Sequence, residues 1–228
     1  MSTNFPKVLV TGITGFLGAH TAIQLLEKGY HVVGTLRKSA SIPSIRAVIG
    51  QNSAHLQQLT FVELDLMDRV EQWTAAMQGV QGVVHIASPF PTTLPKHEDA
   101  LIIPARQGPL SVLQAATAAG VPTVVLPSSI GAVVYGVSKN KTFTEADWTD
   151  ATNYADTTPY FRSKTIAEKA AWDYVHQTPN APYLAVVLPG GIVGPVLEQD
   201  FGTSANIVKK LLDGSVPAIP NIQLGLVD

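Results

Sequence analysis

The feature that most constrains this chain lies in its first twenty residues. Thr11-Gly12-Ile13-Thr14-Gly15-Phe16-Leu17-Gly18 sets three glycines at G-x-x-G-x-x-G spacing between two different hydrophobic patterns. Residues 7–11 (KVLVT) form a continuous apolar run that reads as a buried strand, and residues 16–28 read as a helix stopped by Gly29. In this setting the first glycine permits the tight turn, the second lets a pyrophosphate approach the backbone, and the third lets helix pack on strand. The helix start adds unpaired N–H groups and a favourable dipole. A glycine-rich structural turn is the alternative, but the strand-turn-helix context predicts a dinucleotide site.

The rest of the chain repeats the alternation. Strands are predicted at 31–36, 60–64, 82–87, 122–127 and 183–188, and helices at 70–77, 107–119 and 160–176. Apolar strands separated by helices imply a parallel sheet covered on both faces, an α/β doubly wound fold. Ligands of such sheets sit beyond the carboxyl ends of the strands, so the loops near 89–95 and 189–195 are where a site is expected.

Composition narrows the function. Hydrophobic residues make up 46% and charged residues 14%, which fits a packed core and not disorder. A net charge of −2 offers no basic excess for a phosphate backbone, so no nucleic-acid partner is expected. The absence of cysteine excludes disulfides, thiol catalysis and cysteine-ligated metals. The six histidines are scattered, and no metal site is expected. No secretory signal pattern opens the chain and no apolar stretch is long enough to span a membrane, so a cytoplasmic protein without membrane association is expected.

Between Glu27 and Glu63 there is no acidic residue to hold a ribose 2′-hydroxyl, whereas Arg37 and Lys38 follow the second strand directly. An Arg fork there suits a 2′-phosphate, which favours NADP(H) over NAD. Solvated loop charges are the alternative. Asp65, after the third strand, is placed to accept from an adenine amino group or to cap a helix, although Asp68 is the better cap for the next one.

Tyr160 and Lys164 stand four apart on a predicted helix and share a face. A lysine there would lower the phenol pKa and let the tyrosine pass a proton to or from a substrate oxygen. Ser129, of the Ser128-Ser129 pair ending the fifth strand, would hydrogen-bond and orient that oxygen.

With these parts in hand, the chain resembles the extended short-chain dehydrogenase/reductases. More narrowly it is similar to the dihydroflavonol reductase, cinnamoyl-CoA reductase and bacterial aldehyde reductase group. The matching segments run in order along almost the whole chain: VTGITGFLGAH at 10–20, GTLR at 34–37, HIASPF at 85–90, LPSSIGAVVYG at 126–136, DWTD at 147–150, YFRSKTIAEKAAWDYV at 160–175 and LPGGIVGP at 188–195. The resemblance implies a Rossmann domain at 1–188 and part of a substrate lobe at 189–228, shorter than the family's. It implies a Ser129/Tyr160/Lys164 triad. Gly12, Gly15, Phe16 and Leu17 would hold the pyrophosphate, and Arg37 with Lys38 the 2′-phosphate. Asp65 and Leu66 would flank adenine, and Ala87, Ser88 and Ser128 would line the ribose and nicotinamide side. Pro189, Gly190 and Ile192 would meet the carboxamide, with Ser204 a further phosphate contact. Ser88, Ser129 and Tyr160 would touch substrate, and Phe90, Tyr135, Val133 and Phe143 are candidates for an apolar wall.

Two departures stand out. Gly108-Pro109 replaces the Gly-Thr common in the group, and Gln107 lies where many of the wider superfamily place an asparagine that supports a relay water. The activity implied is NADPH-dependent reduction of a small-molecule aldehyde or ketone by a monomer or homodimer. The alternatives are an NAD-dependent nucleotide-sugar epimerase or dehydratase, and a non-catalytic dinucleotide binder.

Overall fold

The computed structural model describes residues 5–89, 95, 97–138, 140–197, 202–215 and 225–228. Six parallel strands form one sheet in the order β3-β2-β1-β4-β5-β6: β1 Lys7–Thr11, β2 His31–Leu36, β3 Leu59–Glu63, β4 Gly82–His85, β5 Thr123–Pro127 and β6 Tyr183–Val187. The order reverses between β1 and β4, and this is the crevice in which doubly wound sheets bind dinucleotides. Helices α1 Phe16–Glu27 and α2 Ile42–Gly50 cover one face; α3 Val70–Ala76, α4 Asp99–Ala119 and α5 Pro159–Gln177 cover the other. A pair of two-residue strands, β7 Gly191–Ile192 and β8 Leu226–Val227, and the helix α6 Gly202–Leu212 follow the sheet.

The core follows the strand period. Val8 and Val10 point into the cluster beneath α1 and α2, while Leu9 between them points into the cluster beneath α3 and α4. Val32 and Val33, and Val83 and Val84, divide between the faces in the same way. Each sheet face therefore buries a full apolar layer, which is why the strands read as continuous apolar runs and not as alternating ones.

Expectation and structure differ in three places. The fourth helix starts at Asp99, not at 107, and carries Pro104 and Pro109 inside it. Proline lacks an N–H and normally breaks helices, so the sequence pattern of that first stretch does not look helical. The helix α2, with Pro43 at its start, was not anticipated. Asp68 does not cap α3: its carboxylate accepts the Asp65 N–H (2.8 Å), and Gln72 reaches back to the Arg69 N–H (3.3 Å).

The glycine turn is wedged from several sides. Gly12 takes a left-handed conformation (φ 66°), and a Cβ there would lie 3.1 Å from the Ala87 backbone. Ile13, fully buried, fills the space left by Gly34 of β2 and donates its N–H to the Thr35 carbonyl (3.2 Å). A Cβ on Gly18 would lie 2.1 Å from the Gly12 carbonyl oxygen. A Cβ on Gly15 would meet only that same oxygen at 3.5 Å, an ordinary contact, and its backbone (φ −89°, ψ 164°) suits any residue. Gly18→Ala is therefore expected to cost about 3 kcal/mol or more, because backbone must move, whereas Gly15→Ala should leave stability almost unchanged. Thermal or denaturant melts of the two variants check this contrast; equal losses would refute it.

Candidate active site

At the head of α1 the first intrahelical bond is Ala19 N–H to the Gly15 carbonyl (2.9 Å). The N–H groups of Phe16, Leu17 and Gly18 thus have no helical partner. Gly15 makes no side-chain cap, no acidic residue occupies the first turn, and the space over Gly15 is open. Unpaired donors, the positive end of a helix and a turn without side chains over it together suit a pyrophosphate. The residues present fit the dinucleotide that the sequence pattern implies.

Beside this turn, Thr11 ties β1 to β4. Its hydroxyl oxygen accepts the Ala87 N–H (2.9 Å) and lies 3.0 Å from His85 Nδ1. Thr11 is fully buried, and among the described residues its hydroxyl proton has no acceptor other than Nδ1, so it donates there and the imidazole proton sits on Nε2. Burial, with the Lys164 charge adding to it, pulls His85 down to about 3, so the ring is neutral at working pH.

The three predicted catalytic side chains converge. Ser129 ends the segment after β5 and accepts the Gly131 N–H (3.0 Å), which leaves its own O–H as a donor. It lies within hydrogen-bonding reach of Tyr160. Tyr160 and Lys164 occupy successive turns of α5, whose start is set by Pro159 and by the Thr158 hydroxyl accepting the Phe161 N–H (3.3 Å). Lys164 Nζ donates to Ser88 Oγ (3.3 Å) and stands 5.9 Å from the Tyr160 ring. Burial pulls the lysine down to about 8, partly offset by Glu168.

The expected effect of Lys164 on the phenol is not what the side chains show. Tyr160 is pushed up, by burial, with the Ser129 hydroxyl pulling it back in part. Desolvation of the phenol outweighs the Ser129 hydrogen bond, while the Lys164 ammonium donates to Ser88.

Other predicted residues fall in different places. Arg37 and Lys38 are exposed beyond β2. Glu63, at the end of β3, brings a carboxylate into that loop, accepting the Ser39 N–H (2.7 Å) and the Ser39 hydroxyl. The segment after β2 thus lacks acids in sequence but not in space. Asp65 accepts the Met67 N–H (3.0 Å), so one of its oxygens holds its own turn, and Leu66 packs toward Gly108 of α4. The Pro189 carbonyl accepts the Ile130 N–H (3.0 Å), which holds the loop after β6 beside the loop after β5. Gly190 approaches the Gly225 carbonyl so closely that a Cβ would lie 2.2 Å from it, Ile192 pairs with Val227, and Ser204 lies against Gly191. Val133 is buried. Tyr135 stacks on Phe161 with ring centroids 3.9 Å apart, and Phe161 meets Tyr160 edge-on at 5.9 Å. The ring contact of Phe143 is with Lys141 (5.2 Å). Phe90 lies outside the described residues.

Sequence reasoning missed several participants. Phe161 fills the space over Gly131, where a Cβ would stand 2.5 Å from it, and so carries the Tyr135 stack. Arg162, 6% exposed, forms an ion pair with Glu98 and donates to the Thr157 carbonyl (2.8 Å), holding the start of α5 to the start of α4. Glu168, one turn beyond Lys164, is buried. Its signal was the continuation of the four-residue spacing from Tyr160 through Lys164. Among the described residues no cluster of potential metal ligands occurs, and no helix is long and apolar enough to cross a membrane.

Comparison with known proteins agrees with this geometry. An uncharacterized oxidoreductase of Schizosaccharomyces pombe is 34% identical over 229 residues, covering 93% of this chain and 67% of its own length. A cinnamoyl-CoA reductase of Medicago truncatula is 31% identical, covering 100% of this chain and 70% of its own length. The crystal structure of yeast methylglyoxal/isovaleraldehyde reductase Gre2 complexed with NADPH superimposes with a TM-score of 0.84 at 27% identity, over 97% of this chain and 70% of that one. The chain thus spans between 67% and 70% of the lengths of these three relatives. The sequence pattern of the NAD dependent epimerase/dehydratase family matches residues 8–217, and with the sheet order and the site described above this chain belongs to that family.

Proposed function

We propose that this chain carries the cofactor domain and catalytic side chains of an NADPH-dependent carbonyl reductase, with 1–188 binding the dinucleotide and 189–228 contributing to a substrate lobe. The observation that carries this reading is the convergence of Ser129, Tyr160 and Lys164 beside the crevice between β1 and β4. The named reductases among its relatives, one of them complexed with NADPH, support it.

When bound, NADPH supplies the hydride. The backbone at Gly12, Gly15, Phe16 and Leu17 receives the pyrophosphate, and Arg37 with Lys38 supplies positive charge for a 2′-phosphate. Lys164 gives one N–H to Ser88 and keeps two donors for ribose hydroxyls. Ser129, already accepting from Gly131, donates to the carbonyl oxygen and holds it toward Tyr160. Tyr160, held protonated by burial, donates its phenolic proton to the oxygen as negative charge develops there. A raised phenol pKa suits an acid, which is the role reduction requires. The aromatic wall of Tyr135 and Phe161 suits an aromatic or medium-chain aldehyde or ketone.

Glu63 supports a second reading, the NAD-dependent epimerase or dehydratase, because an acid near the loop after β2 suits a ribose hydroxyl. Its carboxylate is already engaged by Ser39, which leaves the exposed Arg37 as the stronger signal.

A fluorescence titration with NADPH and with NADH separates these. Tight, NADPH-selective binding that Arg37→Ala weakens by about tenfold, roughly 1.4 kcal/mol, is expected; NADH preference would move the assignment to the epimerase reading. Tyr160→Phe should retain NADPH binding and lose turnover of a carbonyl panel by about a hundredfold or more, and unchanged turnover would refute the role of Tyr160. The pH dependence follows from Lys164. Its folded value is depressed to about 8, so the ammonium is present below that pH and lost above it. Turnover should fall as pH rises through about 8, and a rate flat from pH 7 to 9.5 would contradict a charged lysine in the mechanism.

A further inference from the structure

Beside Lys164 lies a small pocket lined by His85, Ser88, Ala105, Pro109, Ser128 and Glu168, among others. Three of its polar atoms are buried without a hydrogen-bond partner: His85 Nε2, Ser128 Oγ and Glu168 Oε2. Their residues are 2%, 7% and 5% exposed. Buried polar groups left unpaired are rare and costly, and three around one pocket call for a common partner. The pocket has about 20 Å³ in which the centre of a water fits, and one water needs roughly 10–15 Å³.

The chemistry of the three atoms is complementary around a single water. The Thr11 contacts put the imidazole proton on Nε2, which makes His85 a donor. Glu168 Oε1 is engaged by the Trp172 indole N–H (3.4 Å), which leaves Oε2 as the acceptor. Ser128 lies near enough to lower the Glu168 pKa without meeting it in a direct hydrogen bond. Pro109 has no N–H, so the Ala105 carbonyl loses its usual helical partner, and both residues line the pocket. Lys164 is on the same wall, one turn from Glu168, and the two form no direct ion pair.

We propose that Glu168 is a positioning residue that holds Lys164 in its charged form, acting through one water bridged by the Glu168 carboxylate, the Ser128 hydroxyl and the His85 Nε2–H. The role in turnover rests on the reductase reading above; the electrostatic role does not. The titratable groups facing Lys164 are Tyr160 and Glu168 from α5 and His85 from β4, while α4 presents Pro104, Ala105 and Pro109 and the segment after β5 presents Ser128. His85 is neutral, so Glu168 is the one group of the pocket able to carry negative charge. Burial raises its pKa, and the Ser128 hydroxyl, the Trp172 N–H and Lys164 oppose that rise.

The test is NMR titration of lysine side chains carrying ¹³C at Cε, in the chain without cofactor or substrate, with Lys164→Met identifying the Lys164 signal. The wild-type signal should titrate near 8. Glu168→Gln, which preserves shape and the Trp172 contact, should lower that midpoint by about one pH unit or more, and Glu168→Asp should restore most of it. In turnover assays the alkaline limb should move by the same amount. A midpoint unchanged by Glu168→Gln overturns the proposal. Should that variant not fold, Ser128→Ala takes its place: a lowered midpoint supports the bridge and an unmoved one overturns it. Failure of the reductase reading is seen separately, as unchanged turnover in Tyr160→Phe.

Discussion

There is no room for an atom between Gly18 and the carbonyl of Gly12, and the rest of the molecule is arranged around that contact. It sets the head of α1 directly on the turn that leaves β1. The turn is in turn fixed by Ile13 over Gly34 on one side and by Ala87 on the other. These contacts join the ends of β1, β2 and β4, so the crevice at the sheet's reversal is closely packed at its base. The unpaired N–H groups are aimed by packing, so a bound anion would find its donors already oriented.

The surroundings of Lys164 obey a different balance of forces. Lys164 is charged in a place that opposes charge. Holding its pKa at about 8 in place of 10.5 costs about 3 kcal/mol of folding free energy at neutral pH. The cost is full below about pH 8 and fades as pH rises toward the ordinary lysine value, where the unfolded chain also loses its proton. The fold offsets it locally. Ser88 accepts one ammonium hydrogen, and Arg162 anchors the same helix through Glu98 and Thr157. The Arg162 guanidinium also stands 4.3 Å over the Tyr154 ring. Position is thereby held while Lys164 keeps its unfavourable charge.

Much of this was legible in the residues because it depends on local pattern. Strand runs such as KVLVT, the glycine spacing and the four-residue step from Tyr160 to Lys164 each encode one structural statement over a short window. What was not legible depended on distance in the chain. Glu63 reaches the loop after β2 from another strand, and no inspection of residues 28–62 could place it there. The direction of the Tyr160 shift hangs on burial, which spacing along a helix does not reveal. The early start of α4 was hidden by Pro104 and Pro109, whose lost hydrogen bonds are outweighed by the burial of Leu101 and Ala105. His85 is the plainest case: a single histidine in an apolar strand has no sequence signal, yet Thr11 fixes its tautomer from 74 residues away.

The glycine cradle has a consequence for how such a protein can diverge. The cradle is composed of backbone and of missing side chains, so few substitutions there can reshape it without disturbing the packing that supports it. The segment after β2 carries less of that burden, since Arg37 and Lys38 are exposed. On the reading proposed above, holding a dinucleotide and choosing between its phosphorylated and unphosphorylated forms are separable traits. The first is locked into the architecture; the second sits on a surface loop that descendants of this chain could rewrite while inheriting the fold intact.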